Sequence, residues 1–145
     1  TAQGAKLVLS ATVNGSATPS DYWTLDQDGS LTGIGALGYA VGAGGTVTQI
    51  GSKTTGVTLN KLCGDITMNA AALGAGATAT FRLTDSFIAA TDNVILNNYG
   101  GTIGAYTTNA RPGAGFVDID ITNRTAGSLS EAVVIRFTVL KSQTS

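Results

Sequence analysis

Asp118 and Asp120 come closest, of all the residues in this sequence, to an arrangement that could catalyse a reaction. Residues two positions apart on a β-strand lie on the same face, about 7 Å from each other, and two carboxylates at that spacing can flank a glycosidic bond. Sheets also commonly pair outward-facing acids with basic residues on neighbouring strands, and Arg82 and Arg136 suit that role. Because no aromatic residues and further acids accompany the aspartates to hold a sugar, the sequence favours ion pairing over catalysis.

Other residues that perform catalysis or bind metals are scarce. The sequence has no histidine, which excludes Ser-His-Asp and Cys-His nucleophilic sites and the common zinc sites that contain histidine. Cys63 is the only cysteine, so no disulfide can form within the chain. Its place between Leu62 and Gly64 predicts a small buried apolar residue rather than a reactive thiol. We therefore expect a protein that is not an enzyme and uses no cofactor or metal.

Two short motifs have the letters of ligand-binding loops without the surrounding context. Gly33-Ile-Gly35-Ala-Leu-Gly38 matches the dinucleotide fingerprint, which requires a strand before it, a helix after it and an acid about 20 residues later. Glycines at 42, 44 and 45 would break that helix. Asp26-Gln-Asp28-Gly29 resembles the start of a calcium loop but lacks the further oxygen ligands and the closing Glu. A plain turn is predicted there.

The charge of the chain is low and evenly spread. Charged residues make up 12% of the sequence and the formal net charge is −1, and the basic residues are scattered singly from Lys6 to Lys141. This distribution disfavours nucleic acid as a partner, because duplex binding needs clustered Lys and Arg. No stretch approaches the roughly 18 apolar residues of a membrane span. A surface of small neutral residues suits contact with another protein, so we expect assembly.

Alternating residues after Gly45 define the elements that would position these side chains. Eight segments are predicted as strands: 46–50, 57–60, 64–69, 77–84, 93–97, 103–109, 115–122 and 132–140. Their spacing is typical of an all-β sandwich. We expect a jelly-roll or related Greek-key β-sandwich of about eight strands, because two stacked layers bury one face of each strand. Alternation directs Phe81, Ile119 and Phe137 into the core.

Residues 1–45 follow a looser pattern than the sandwich predicted for 46–145. A strand at Lys6–Val13 ends at the turn dipeptide Asn14-Gly15, and an ordered extended arm or long loop follows, within one structural domain overall. Its apolar residues are too many for a disordered linker. Tyr22 and Trp23 could be a carbohydrate platform, an interface anchor or a cap on the sandwich, and large aromatics are enriched at interfaces. The candidate interface residues are Tyr22, Trp23, Leu25, Leu31 and Tyr39.

Four segments of the second part resemble a β-module of tailed bacteriophages. They run from Gly44 to Asn69, Phe87 to Ile95, Gly100 to Tyr106 and Gly127 to Phe137. The module occurs as small stand-alone virion proteins and at the ends of tail-fibre or spike proteins. The resemblance covers the chain from Gly44 to Lys141 and implies no catalytic residues.

The resemblance implies two classes of function. The first is a capsid decoration, or cement, protein, made in the host bacterial cytoplasm and bound to the outer surface of the capsid in the virion. Its partners would be the major capsid protein and further copies of itself, as a dimer or trimer, and residues 1–45 would supply the attachment. The alternative is a receptor-binding tail fibre or spike module that recognises glycan. Such a module normally has a shaft with repeats or a coiled coil, and this sequence has neither.

Overall fold

The structure, a computed structural model, describes residues 6–12, 14–34 and 36–143. Regular secondary structure within those residues is β-strand, without any α-helix. The strands are β1 (Leu7–Ala11), β2 (Ser20–Leu25), β3 (Leu31–Gly33), β4 (Gly44–Thr48), β5 (Val57–Thr58), β6 (Cys63–Thr67), β7 (Thr78–Thr84), β8 (Asn93–Gly100), β9 (Tyr106–Gly113), β10 (Phe116–Asn123) and β11 (Val134–Leu140). The predicted all-β class is confirmed. Over the same described ranges, no helix has the length and hydropathy that a membrane crossing requires.

The chain divides into two compact units, Thr1–Gly38 and Tyr39–Ser145. The sequence predicts the change at residue 45, within one structural domain. Hydrogen bonds account for the earlier boundary, because the Tyr39 hydroxyl donates to the Val139 carbonyl. The Lys61 ammonium donates to the Gly42 carbonyl at 3.1 Å. We call the second unit the body.

The first unit is a three-stranded antiparallel sheet in the order β1-β2-β3, where an extended arm or long loop was expected. A turn between β2 and β3 makes it possible: the Asp26 amide donates to the Ser30 carbonyl at 3.0 Å, and Gly29 has a φ of +82°. This is also the turn predicted for Asp26 to Gly29. Strand β1 lies within the strand predicted at Lys6–Val13, whereas β2 and β3 were not predicted, because they are short and carry Asp21, Thr24 and Thr32 among their apolar residues.

The body contains all eight predicted strands, arranged as two four-stranded sheets. The first has the order β5-β7-β10-β9 and the second the order β4-β6-β11-β8. Most pairs are antiparallel, but β4 pairs with β6, and β5 with β7, in parallel. These parallel pairs differ from the antiparallel order of a jelly roll. The arrangement is compatible with a β-sandwich, and the jelly-roll form of the prediction is not confirmed.

One apolar core lies between the inner faces of the two sheets. Alternate residues of β7, β10 and β11 fill it, as the sequence predicted. Phe81, Ile119 and Phe137 are each no more than 2% exposed. Residues of both sheets and of their connections join this single cluster. The two layers therefore stabilise each other by burying one face of each sheet.

A buried polar network holds the loop that follows β4. The side-chain amide of Gln49 donates to the carbonyls of Lys53, at 3.2 Å, and Thr55, at 2.8 Å. The ammonium of Lys53, a residue only 4% exposed, donates to the carbonyls of Asn69 and Glu131, both at 2.7 Å. Burial lowers the pKa of Lys53 because it disfavours the charged form. The network ties this loop to the segments that follow β6 and precede β11.

Candidate attachment surface

The sheet of the first unit gathers large apolar side chains on one face. Residues directly opposite on neighbouring strands share a face, and the register aligns Leu7 with Leu25 and Leu25 with Leu31. The next aligned row is Leu9, Trp23 and Gly33. We call this surface the leucine–tryptophan face. Its members are Leu7, Leu9, Trp23, Leu25 and Leu31.

The four leucines of the leucine–tryptophan face are exposed, and Trp23 is half-buried. Relative exposure is 59% for Leu7, 55% for Leu9, 41% for Leu25 and 52% for Leu31. None of the residues described in the first unit is buried. Small sheets become stable when their hydrophobic face packs against something else, and contiguous exposed apolar patches mark interaction sites. This face therefore has the character of a surface that another molecule covers.

Gly33 allows the indole of Trp23 to lie across β3. A Cβ atom at residue 33 would lie 2.5 Å from Trp23 Cε3 and 2.4 Å from the Tyr22 carbonyl oxygen. Such distances leave no room for a side chain at residue 33. The indole ring therefore covers the backbone of β3 at Gly33, which has no side chain of its own. In this way Trp23 extends the apolar face over the third strand.

The opposite face of the same sheet is more polar. Val8, Thr24 and Thr32 form an aligned row there. At the far end of β1 and β2, the Ser10 hydroxyl donates to the Asp21 carboxylate at 2.6 Å. The contrast between the two faces gives the sheet a preferred side for apolar contact.

The structure unites three of the five predicted interface residues on one surface. Trp23, Leu25 and Leu31 lie on the leucine–tryptophan face, whereas Tyr22 lies outside its two rows, beside the register shift between β1 and β2. Tyr39 belongs to the body and anchors its first residues through Val139. Leu7 and Leu9 share this face although they are not among the predicted interface residues, and their alternation within the first predicted strand was the signal for a shared face.

Asp118 forms an ion pair on the outer face of the first sheet of the body. Arg82 Nε and Nη2 donate to Asp118 Oδ1 and Oδ2 at 2.8 and 2.9 Å, and the guanidinium carbon lies 3.6 Å from the centroid of the Phe116 ring. The hydrogen bond from Arg82 lowers the pKa of Asp118. Asp120 accepts a hydrogen bond from the Thr80 hydroxyl at 2.7 Å. The predicted pairing of Asp118 is confirmed, and a lowered pKa does not suit a general acid.

The second sheet repeats this arrangement on its own outer face. Arg136 Nε and Nη2 donate to Asp65 Oδ1 and Oδ2 at 2.7 and 2.9 Å, and the guanidinium carbon lies 3.7 Å from the centroid of the Tyr99 ring. The hydrogen bond from Arg136 lowers the pKa of Asp65. Each outer face thus pairs an arginine with an acid of its own sheet, and neither arginine is left as an isolated positive charge.

The remaining chemistry-bearing residues form no reactive cluster in the described part of the chain. No group of three or more His, Cys, Asp or Glu residues there could hold a metal ion. The prediction that Cys63 is buried is wrong, because the residue is half-buried. Cys63 begins β6, which lies beside the edge strand β4, and it pairs with Gly44 of that strand. Burial raises the pKa of Asp85. Its side chain is fully buried, so the carboxyl group does not face solvent, from which a substrate would approach. Gly33 ends β3, and no helix follows it within the described ranges, so the fingerprint context is missing.

A cavity of about 120 Å³ lies beside the connection between β8 and β9. Two tyrosines, one asparagine and a glycine-rich run of the chain form its wall. The lining residues are Asn98, Tyr99, Gly100, Gly101, Thr102, Ile103, Gly104 and Tyr106. Burial, with the Glu131 carboxylate nearby, raises the pKa of Tyr106 to about 12. The cavity therefore presents neutral groups.

Comparisons of this chain with protein-family models, with curated proteins and with solved structures find no match.

Proposed function

We propose that this protein is a structural component of a phage virion that binds the outside of the head as a decoration protein and bridges major capsid subunits. The leucine–tryptophan face is the observation that carries the proposal. It is an apolar surface on a unit with no buried residue among those described, and such a surface requires a partner. The resemblance of residues 44–141 to phage virion modules supplies the class of partner.

The body supports this role as a rigid scaffold. Its core is continuous between two sheets, and its outer faces carry arginines that are already paired with acids. Attachment would then depend on apolar contact at the leucine–tryptophan face more than on charge. We accordingly expect an affinity for capsid that changes little with salt, because screening acts on exposed charges.

Binding to the assembled shell would stabilise the head by mass action. A ligand that binds the assembled state and not the dissociated subunits shifts the equilibrium toward assembly. The contribution of each copy is modest, but many copies around the shell act together. A decoration protein therefore needs a stable body and an attachment surface, and no catalytic site.

Copy number and binding specificity test the proposal. The purified chain is mixed with expanded, DNA-free heads and with host bacterial cells, and the bound fraction is measured by sedimentation. Copies per particle are measured by stained gel of purified virions. Decoration predicts hundreds of copies and binding to heads. A few copies per particle, or binding to cells without binding to heads, would overturn it.

The cavity between Asn98 and Tyr106 favours a second candidate, a receptor-binding module that recognises glycan. Ligand pockets combine aromatic side chains with a few placed polar groups, and the two tyrosines and the amide of Asn98 supply both kinds here. Tyr99 is 61% exposed, so its ring edge is accessible from solvent. This candidate predicts that Tyr99→Ala abolishes binding to host cells, whereas decoration predicts unchanged binding to heads in the same variant.

A further inference from the structure

Edge strands of a sheet expose unpaired backbone groups, and three of the four edges of the body are poor sites for pairing. The edges are β4 and β8 in one sheet and β5 and β9 in the other. Strand β5 has two residues and β4 has five, of which two are glycines. Strand β9 contains Arg111 and Pro112. Short length, charge and proline are the features by which proteins prevent edge-to-edge pairing.

Strand β8 has none of these protective features. It is eight residues long and contains neither a charged residue nor a proline. Its last residues are covered, because the Asn98 side chain donates to the Tyr106 carbonyl at 3.0 Å. Its first half, from Asn93 to Asn97, pairs only with β11 in the described part of the chain. That half is an open, neutral edge.

The backbone groups on this open side can be assigned from the register. The Val139 amide of β11 donates to the Leu62 carbonyl, so Val139 and Phe137 direct their backbone groups away from β8. Alternate residues of an antiparallel pair point to opposite sides. Val94 and Leu96, which stand opposite Val139 and Phe137, therefore direct their N–H and C=O groups to the open edge.

We propose that two copies of this chain pair through β8, antiparallel, with the two-fold axis at Ile95. The sequence from Asn93 to Asn97, Asn-Val-Ile-Leu-Asn, reads nearly the same in both directions around Ile95. An antiparallel pair centred there aligns Val94 of each copy with Leu96 of the other. Their backbone groups then form mutual hydrogen bonds, and the contact is isologous, as a two-fold interface requires.

The side chains agree with this register. Ile95, an apolar residue that is 54% exposed in the single chain, would lie against Ile95 of the second copy in a non-hydrogen-bonded pair, where side chains approach most closely. Asn93 would stand opposite Asn97 of the second copy, amide against amide. No like charges face each other along the seam. The same uncharged, self-complementary seam favours a second copy over a foreign strand.

Pairing would join the two β4-β6-β11-β8 sheets into one continuous sheet of two copies. The inference goes beyond the proposed function, because it concerns the chain alone and requires neither a capsid nor a glycan. Its failure would leave capsid attachment through the leucine–tryptophan face untouched, and failure of head binding would leave the dimer untouched.

The oligomeric state of the purified chain tests the pairing. Light scattering coupled to size exclusion, repeated across the micromolar range, should show a dimer. Ile95→Lys places like charges opposite each other at the axis and should weaken dimerisation at least about tenfold. Asn109→Lys is the matched control, because Asn109 is exposed on the other long edge strand, β9. It should leave the dimer intact. A monomer at every concentration, or equal effects of the two variants, would overturn the proposal.

Cross-linking tests the axis even if Ile95→Lys impairs folding. In a Cys63→Ala background, Ile95→Cys should form an intermolecular disulfide under mild oxidation, because paired residues at such a position have Cα atoms about 4.5 Å apart. Asn109→Cys should not. If Ile95→Cys cross-linked no faster than Asn109→Cys, β8 would be excluded as the seam. This result would also be expected if the chain formed a dimer through a different surface. Pairing of β8 only with a strand of another protein would give that same result.

Discussion

Replacement of Lys53 by Met is expected to destabilise the body by about 1–3 kcal/mol, since it leaves two part-buried carbonyls without the charged donor that satisfies them. Met keeps the apolar stem of the side chain and removes the ammonium. That ammonium lies 2.7 Å from each of the carbonyl oxygens of Asn69 and Glu131. Hydrogen bonds to charged groups contribute more than neutral ones, while removal of a buried charge returns part of its desolvation cost. The net effect is therefore smaller than the sum of two lost bonds.

Lys61→Met is the matched control for this prediction. The Lys61 ammonium also donates to a carbonyl, that of Gly42, but at 3.1 Å and in an exposed position. Surface contacts of this type contribute little, so the control should cost less than about 0.5 kcal/mol.

Urea denaturation followed by far-UV circular dichroism measures both variants. Tryptophan fluorescence is unsuitable, because Trp23 is the only tryptophan and lies in the first unit. If Lys53→Met lowered the free energy of unfolding no more than Lys61→Met does, the ammonium would not be what holds the loop between β4 and β5, and the reasoning would be refuted.

Two further predictions concern the body. Hydrogen bonds from arginine hold the pKa values of Asp65 and Asp118 below the ordinary 3.8, so the stability these acids add is present above pH 3.8 and is lost as the pH falls through their folded-state pKa values. The double variant Asp65→Asn, Asp118→Asn should therefore lose less stability than the native chain on acidification below pH 3.8, and equal losses in thermal melts would contradict this. Asn123→Ala should destabilise by about 2–4 kcal/mol, because the buried amide donates to the carbonyls of Leu73 and Gly127 at 2.9 and 2.8 Å; an unchanged urea midpoint would exclude that role.

The body was predictable from the sequence because its alternation is strong. The positions of β7, β10 and β11 follow directly from apolar residues at every second place. Pairing of Asp118 with an outward arginine follows in the same way, but the choice of Arg82 over Arg136 needed the strand register. The order of the strands was not predictable, since alternation defines which face is buried and not which strand is the neighbour. The parallel pairing of β4 with β6 depends on long-range packing that no local pattern records.

The first unit was predictable only in part. Leu7 and Leu9 alternate clearly, but β2 and β3 carry Asp21, Thr24 and Thr32 beside their apolar residues, which weakens the period. Trp23 and Leu25 stand out in the sequence for their size and apolar character, and their alignment with β1 needed the register.

The exposure of Cys63, in the body, was not predictable from its neighbours. The apolar residue Leu62 beside it suggested burial, whereas the strand turns the cysteine away from the core.

Binding of two charge variants to expanded heads tests the central claim most directly. Leu9→Asp places a carboxylate on the leucine–tryptophan face, and Thr32→Asp places the same group on the opposite face of the same sheet. If the apolar face attaches the protein to the capsid, Leu9→Asp should weaken binding at least about tenfold, because it would bury an unpaired charge, while Thr32→Asp should bind as the native chain does. Equal affinity of Leu9→Asp and the native chain for heads would contradict the claim.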